Sequence, residues 1–173
     1  MSRELWLLRH AKAKRDEKIE DFDRPLKKRG KQDALKMGKW LHQQNLIPDW
    51  VLSSPAKRAM ATATRVLEGM DEMELTIMRD KRLYAEGFES LKTVLAECPT
   101  NVQRVLLVGH NPELEDLLIY LVGLANVPNK NKLLPTTGLV RLALPDDWTQ
   151  LEAGLAQLLA IIDTEFLESA QDE

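Results

Sequence analysis

The chain has a single cysteine, three histidines and few aromatic residues, which make up 5% of its 173 positions. With Cys98 alone, no internal disulfide can form, and a reducing cytoplasm is the expected home. His10, His42 and His110 are scattered without ligand spacing, which argues against a metal site. No run approaches the ~20 apolar residues of a membrane span. Met1-Ser2-Arg3-Glu4 leads straight into an apolar stretch, so no secretory signal is expected. Nor is there an excess of cations: the net charge of -3 argues against bulk nucleic-acid binding. Internal repeats and low-complexity segments are also missing.

What is present is 44% hydrophobic and 29% charged, enough apolar matter for one core and enough charge for solubility. Residues 1–173 are expected to form one domain, with a monomer as the default. Leu5 to Leu8 is a short apolar run that stops at Arg9-His10, and it reads as a strand buried on both faces. The same design recurs at Arg104-Val105-Leu106-Leu107-Val108-Gly109-His110. Two parallel neighbouring strands would set His10 beside His110, at the edge where open α/β sheets present their ligand sites.

Between these strands the pattern alternates. A helix over Lys28 to Gln44 has Ala34, Met37, Gly38 and Leu41 on one face. A strand follows at Trp50 to Ser53, then a helix from about Ala56 to Glu68, opened by Ser54-Pro55, with Ala59, Ala63, Val66 and Leu67 on its inner face. Leu75 to Met78 reads as a strand, Glu89 to Glu97 as a helix, and Asn111-Pro112-Glu113 as the start of a helix reaching Leu121 and stopped by Gly123. Asn126 to Pro135 is a loop, and Gly138 to Leu144 a strand. Beyond it, Trp148 to Leu151 reads as a short helix. Periodicity leaves Leu155 to Ile162 open between helix and strand, and the polar tail Ser169 to Glu173 is expected to fray. The alternation indicates an α/β fold with a mainly parallel sheet covered on both faces.

Charge crowds one segment. From Arg9 to Lys31 run Arg9, Lys12, Lys14, Arg15, Lys18, Arg24, Lys27, Lys28, Arg29 and Lys31, interleaved with Asp16, Glu17, Glu20, Asp21 and Asp23. This is either a solvated loop leading into a polar helix face or a positive rim that draws an anion toward His10. The strand ends favour an anion. A neutral imidazole is a good nucleophile near neutral pH, and a guanidinium offers a planar fork to phosphate oxygens. Arg9 with His10, Arg58 in the first turn of the second helix, and His110 come from three different strand ends and would converge as donors.

Other readings compete. Cys98 and Arg104 have the spacing of a cysteine-dependent phosphatase loop. That loop needs glycine to turn tightly and consecutive backbone N–H groups, and here there is no glycine and Pro99 lacks an N–H. His42, in Trp40-Leu41-His42-Gln43-Gln44, is expected to face solvent, and the four tryptophans to serve as core or edge packing.

Leu8-Arg9-His10-Ala11, Ser53-Ser54-Pro55-Ala56-Lys57-Arg58-Ala59 and Val108-Gly109-His110-Asn111-Pro112, taken together and in order, resemble the three motifs of the histidine phosphatase superfamily, the phosphoglycerate mutase-like proteins. Ala11 stands where the first motif usually has glycine. The short length, Arg24-Pro25-Leu26 before Arg29-Gly30, and Leu83-Tyr84 before a short helix look most like the SixA-type phosphohistidine phosphatase branch. The resemblance implies a three-layer α/β/α sandwich in which Leu155 to Ile162 is a late strand near Gly138 to Leu144. It makes His10 the nucleophile that becomes phosphorylated, and Arg9, Arg58 and His110 the groups that hold the phosphoryl oxygens, with Arg24 as a further substrate-binding candidate. No metal or organic cofactor is implied. The partner would be a phosphorylated protein, such as a histidine phosphotransfer domain, or a small phosphate ester. A non-catalytic phosphohistidine-binding module on the same scaffold is the other class.

Many relatives carry a carboxylate general acid after the third strand. Glu86 is the nearest candidate, with Asp21 and Asp23 as alternatives. Phosphohistidine expels an imidazole, which needs less proton donation than an alkoxide. A weak acid signal therefore favours a phosphoramidate substrate.

Overall fold

The computed structural model describes residues 3–171. Among the described residues six strands form one sheet in the order β3-β2-β4-β1-β5-β6. They are β1 (Arg3–Arg9), β2 (Trp50–Ser53), β3 (Ile77–Arg79), β4 (Arg104–Gly109), β5 (Leu139–Leu144) and β6 (Gln157–Ile162). The helices are α1 (Lys28–Gln43), α2 (Lys57–Met70), α3 (Phe88–Ala96), α4 (Glu113–Val122) and α5 (Thr164–Gln171). β1 to β4 run parallel, β5 runs against β1, and β6 against β5.

The pleat explains why the central strands are continuously apolar. In β1, Leu5 and Leu7 enter the core beneath α3 and α4, while Trp6 and Leu8 enter the opposite core with α1, α2 and α5. In β4, Val105 and Leu107 divide from Leu106 and Val108 in the same way. Side chains alternate between faces, so a strand covered on both sides must be apolar at every position. The result is the expected three-layer sandwich with a mainly parallel sheet.

The inner faces expected for the first two helices are buried at all eight positions: Ala34, Met37, Gly38 and Leu41, and Ala59, Ala63, Val66 and Leu67. These two helices cross at glycine. A Cβ on Gly38 would lie 2.1 Å from the Val66 carbonyl oxygen, and one on Gly69 would lie 2.4 Å from that of Leu35. Gly30 similarly lets the first turn of α1 press on the backbone of Lys12, whose carbonyl oxygen would be 2.2 Å from an added Cβ. The segment after β1 is thereby held close to the sheet. An isolated antiparallel bridge pairs Ala13 with Leu26, flanked by Lys14 N–H to Pro25 carbonyl at 2.8 Å and Lys27 N–H to Lys12 carbonyl at 2.9 Å.

Several boundaries differ from the sequence expectation. β3 is Ile77–Arg79 rather than Leu75–Met78, because its register is set by pairing Val51 with Ile77, and Leu75 instead closes a turn on Glu72. α2 begins at Lys57 and runs to Met70, leaving Pro55 ahead of the helix. Trp148 to Leu151 is not a helix. The Asp147 carboxylate accepts from the backbone N–H of Thr149 at 2.9 Å and from its hydroxyl at 2.6 Å, a local bonding that competes with helix formation. Trp148 is buried there, its indole N–H donating to the Val102 carbonyl at 3.0 Å. Within Leu155 to Ile162, Gln157–Ile162 is strand, paired antiparallel to β5. The tail is more ordered than expected. Asp163 Oδ1 accepts from Phe166 N–H at 2.8 Å, Leu167 is buried, and α5 continues through Ser169 to Gln171. The rest of the expected frayed tail, 172–173, lies outside the described residues. No described helix is long and apolar enough to cross a membrane.

Candidate active site

β1 and β4 are neighbours in register, with Arg9 opposite Gly109, so the residues that follow them are neighbours too. His10 N–H donates to the Gly109 carbonyl at 3.0 Å, and the His10 and His110 ring centroids are 5.1 Å apart. Arg58 arrives from the first turn of α2. The parallel pairing of β2 with β4 brings this turn alongside: Ser54 N–H donates to the Val108 carbonyl at 3.0 Å. The start of α2 is tied back to β1 through Thr62, whose hydroxyl oxygen accepts from Ala11 N–H at 2.9 Å and donates to the Arg58 carbonyl at 2.7 Å.

A cavity of about 800 Å³ opens at the C-terminal ends of the parallel strands. Arg9, His10, Arg58 and His110 share it with Asp21, Arg24, Tyr84 and Asn111. Lys12, Lys14, Arg15, Lys27 and Lys132 also line it, against Asp16 and Glu113. The charged segment that the sequence left open between solvated loop and rim therefore contributes to the cavity wall.

The hydrogen bonds set the proton positions. His10 Nδ1 lies 2.8 Å from the Ala11 carbonyl, an acceptor only, so Nδ1 carries the proton and Nε2 keeps its lone pair. Burial, reinforced by Arg58 and Arg9, pushes the pKa of His10 down to about 4. His110 Nδ1 faces Arg58 Nη2 at 3.4 Å and must accept there, which leaves Nε2–H to donate to Ser54 Oγ at 2.8 Å. Burial, then His10 and Arg58, push the pKa of His110 down to about 3. Both imidazoles are neutral near pH 7.

Arg9 is positioned from the far side of the site. Its Nη1 donates to the Leu134 carbonyl at 3.3 Å, which also accepts from Asn111 Nδ2 at 2.8 Å. Glu115 Oε2 accepts from Asn111 Nδ2 at 2.9 Å and from Leu134 N–H at 3.0 Å, locking the segment before β5 onto α4. Burial lowers the pKa of Arg9, with Glu115 opposing. Arg9 Nε, Arg58 Nε and Asn111 Oδ1 are buried without hydrogen-bond partners. Arg9 and Arg58 also line the cavity, and a guanidinium fork matches the oxygens of an oxyanion.

Not every candidate arrives. Glu86 is exposed and does not line the cavity, although its neighbours Tyr84 and Ala85 do. Asp21 does line it: its Oδ2 accepts from Tyr84 hydroxyl at 2.6 Å and from Arg58 Nη2 at 3.0 Å, and its Oδ1 from Arg24 Nη1 at 3.0 Å. These bonds, led by that from Tyr84, hold the Asp21 carboxyl well below the usual carboxylate range. Asp23 is exposed and outside the lining. Arg24 lines the cavity and also donates from Nε to the Lys14 carbonyl at 2.7 Å. His42 is exposed, as expected, with Nδ1 2.9 Å from the Met70 carbonyl. Cys98 is buried, and burial pushes its thiol up to about 11, the opposite of an activated nucleophile. Among the described residues no group of three metal-ligating side chains gathers.

Sequence reasoning missed Ser54 as the partner of His110, Tyr84 as the partner of Asp21, and Glu115 as the brace of Arg9. Ser54 had a signal, since it ends a strand beside the expected site. Glu115 had none, being one of three acids in the first turn of α4.

The sequence model for branch 1 of the histidine phosphatase superfamily matches residues 5–84. An uncharacterised protein of Mycobacterium tuberculosis is 31% identical over 157 residues, covering 88% of this chain and 96% of the relative. Among solved structures, a protein assigned as phosphohistidine phosphatase SixA from Agrobacterium tumefaciens superposes with a TM-score of 0.78 at 28% identity, over 94% of this chain and 99% of the other. One assigned in the same way from Nakamurella multipartitia has a TM-score of 0.78 at 26% identity, over 93% and 95%. By this family match and these likenesses, the chain belongs to the histidine phosphatase superfamily.

Proposed function

We propose that the protein is a phosphohistidine phosphatase working through a phosphorylated His10, without metal or organic cofactor. The observation that carries this is the His10 tautomer: Nδ1–H is tied to the Ala11 carbonyl, so the free lone pair is on Nε2, in a ring held neutral among cations. Nε2 attacks phosphorus and the P–N bond to the substrate imidazole breaks. Arg9, Arg58 and Arg24 would hold the phosphoryl oxygens and stabilise their charge as it redistributes. A phosphoryl dianion beside His110 raises the proton affinity of that ring, so that a protonated Nδ1 becomes a further donor to the phosphoryl oxygens. Water then attacks phosphorus, the Nε2–P bond breaks with its electron pair returning to Nε2, and orthophosphate leaves.

The carboxylates support an imidazole as the leaving group. Glu86 is outside the cavity lining, and Asp21 is held ionised. Neither is poised to protonate an alkoxide. An imidazole leaving group takes its proton from solvent and needs little help. The likeness to proteins assigned as SixA supports the same substrate class. The breadth of the cavity and its lysine-rich wall suit a phosphohistidine presented on a protein. The test is hydrolysis of a phosphorylated histidine phosphotransfer protein beside a panel of small phosphate esters. Preference for the protein supports the proposal. Preference for an ester, or binding without turnover, overturns it.

A further inference from the structure

Arg58 is a buried cation whose two terminal nitrogens both turn to one residue of a surface turn. Nη1 donates to the Asp21 carbonyl oxygen at 2.5 Å and Nη2 to Asp21 Oδ2 at 3.0 Å. The Arg58 side chain is 6% exposed, whereas that of Asp21 is 56% exposed. A carboxylate at the water's edge therefore reaches inward to the guanidinium that would hold a phosphoryl group. Tyr84 latches it there through the 2.6 Å bond to Oδ2, with the Tyr84 ring edge-on to both Phe22 and His110. Asp21 sits on the 3₁₀ turn Asp21–Asp23, where no residue is buried. The base of the same loop is pinned by the Ala13–Leu26 bridge. An outward move of the turn would thus take no buried side chain out of the core.

We propose that Asp21 is a resident competitor for the phosphoryl place on Arg58. The inference rests on the reading of Arg58 as a phosphoryl holder. A guanidinium fork fits carboxylate and phosphate alike, and Nη1 and Nη2 cannot fully serve both. An incoming phosphoryl group, with more charge and more acceptor oxygens, lifts the carboxylate off. The intrinsic affinity of the site is thereby reduced by the fraction of molecules in which Arg58 is released from Asp21. The reduction applies equally to substrate and to orthophosphate, so the return of Asp21 to Arg58 helps expel the product.

The test is the affinity of the full chain for inorganic phosphate, measured by titration calorimetry without turnover. Asp21→Asn removes the charge and keeps the shape. It should tighten phosphate binding about fivefold, the scale of one half-exposed ion pair. Product inhibition by phosphate should strengthen by the same factor. Asp21→Ala should behave alike, which covers a folding defect in either variant. Tyr84→Phe keeps the ring contacts but loses the latch, and should tighten binding by a smaller factor. Arg58→Ala separates the two readings. If it binds phosphate as the wild type does, the assignment of Arg58 fails. If Arg58→Ala weakens binding while both Asp21 variants bind phosphate no better than wild type, the competitor alone is overturned.

Discussion

His10 Nδ1 stands 2.8 Å from the carbonyl oxygen of Ala11, the next residue in the chain, and this contact decides which ring nitrogen can attack. Ala11 is itself immobilised: it is fully buried and its N–H is held by Thr62. The tautomer is therefore a property of the backbone at the end of β1 and of its tie to α2.

His10→Ala is expected to abolish phosphoenzyme formation and turnover. Rapid quench without acid, using labelled substrate, should find an acid-labile and base-stable adduct on the wild-type peptide containing His10. Near-normal turnover by the variant would remove His10 from the reaction.

Arg58→Ala and His110→Ala should each lower kcat about 10²–10³-fold, the usual effect of deleting one donor to a developing oxyanion. His42→Ala, exposed on α1, should change kcat by less than twofold. Losses below tenfold at both Arg58 and His110 would place them outside the chemistry.

Glu86→Gln is expected to leave the hydrolysis of phosphohistidine and of an aryl phosphate within twofold of wild type, because Glu86 is exposed and does not line the cavity. A selective loss on the ester would show that Glu86 donates a proton after all.

Protonation of the two buried histidines couples to stability. Both have folded pKa values below the ordinary 6.5, about 4 for His10 and about 3 for His110. Between those values and 6.5 the unfolded chain binds more protons than the folded one, so stability rises with pH through this window. Thermal midpoints measured from pH 4 to 7 should climb, and the double variant His10→Gln, His110→Gln should climb less steeply. Asp21, with its pKa depressed, adds stability above the ordinary carboxylate range and loses it only at more acid pH. An equal slope in wild type and double variant would count against neutral buried imidazoles.

Gly38→Ala should lower stability by about 1–3 kcal/mol, the usual penalty for overpacking. An added Cβ would collide with the backbone carbonyl of Val66, 2.1 Å away, and backbone cannot turn aside as a side chain can. Urea unfolding would show this as a lower midpoint at unchanged slope.

Much of the fold was legible because its signals are local. The strands Leu5 to Leu8 and Val105 to Val108 are apolar at every position, which only burial on both faces explains. α1 and α2 repeat small and apolar residues at helical spacing, and their buried faces follow directly. Trp148 to Leu151 misled for a local reason as well: a side-chain bond from Asp147 outweighed helix formation.

The sequence by itself determined that two apolar strands each end in a histidine, with arginines at strand ends as well. Each lies where an apolar run stops, and such runs, once paired in parallel as neighbours, bring their ends together; the pairing of β1 with β4 is what the tertiary structure supplied. Only the tertiary structure decided which acid joins them. Asp21, Arg58 and Tyr84 come from a charged loop, a helix start and a turn, and no periodicity links them. In the sequence Asp21 is one of five acids in a mixed-charge run, and Glu86 was the nearer candidate. The Ala13–Leu26 bridge and the close approach of Gly30 to Lys12 fold that run back over the cavity, so that Asp21 meets Arg58 while Glu86 stays at the surface. The proton positions on His10 and His110 were likewise beyond the sequence, since the Ala11 carbonyl sets one and the Arg58 guanidinium the other.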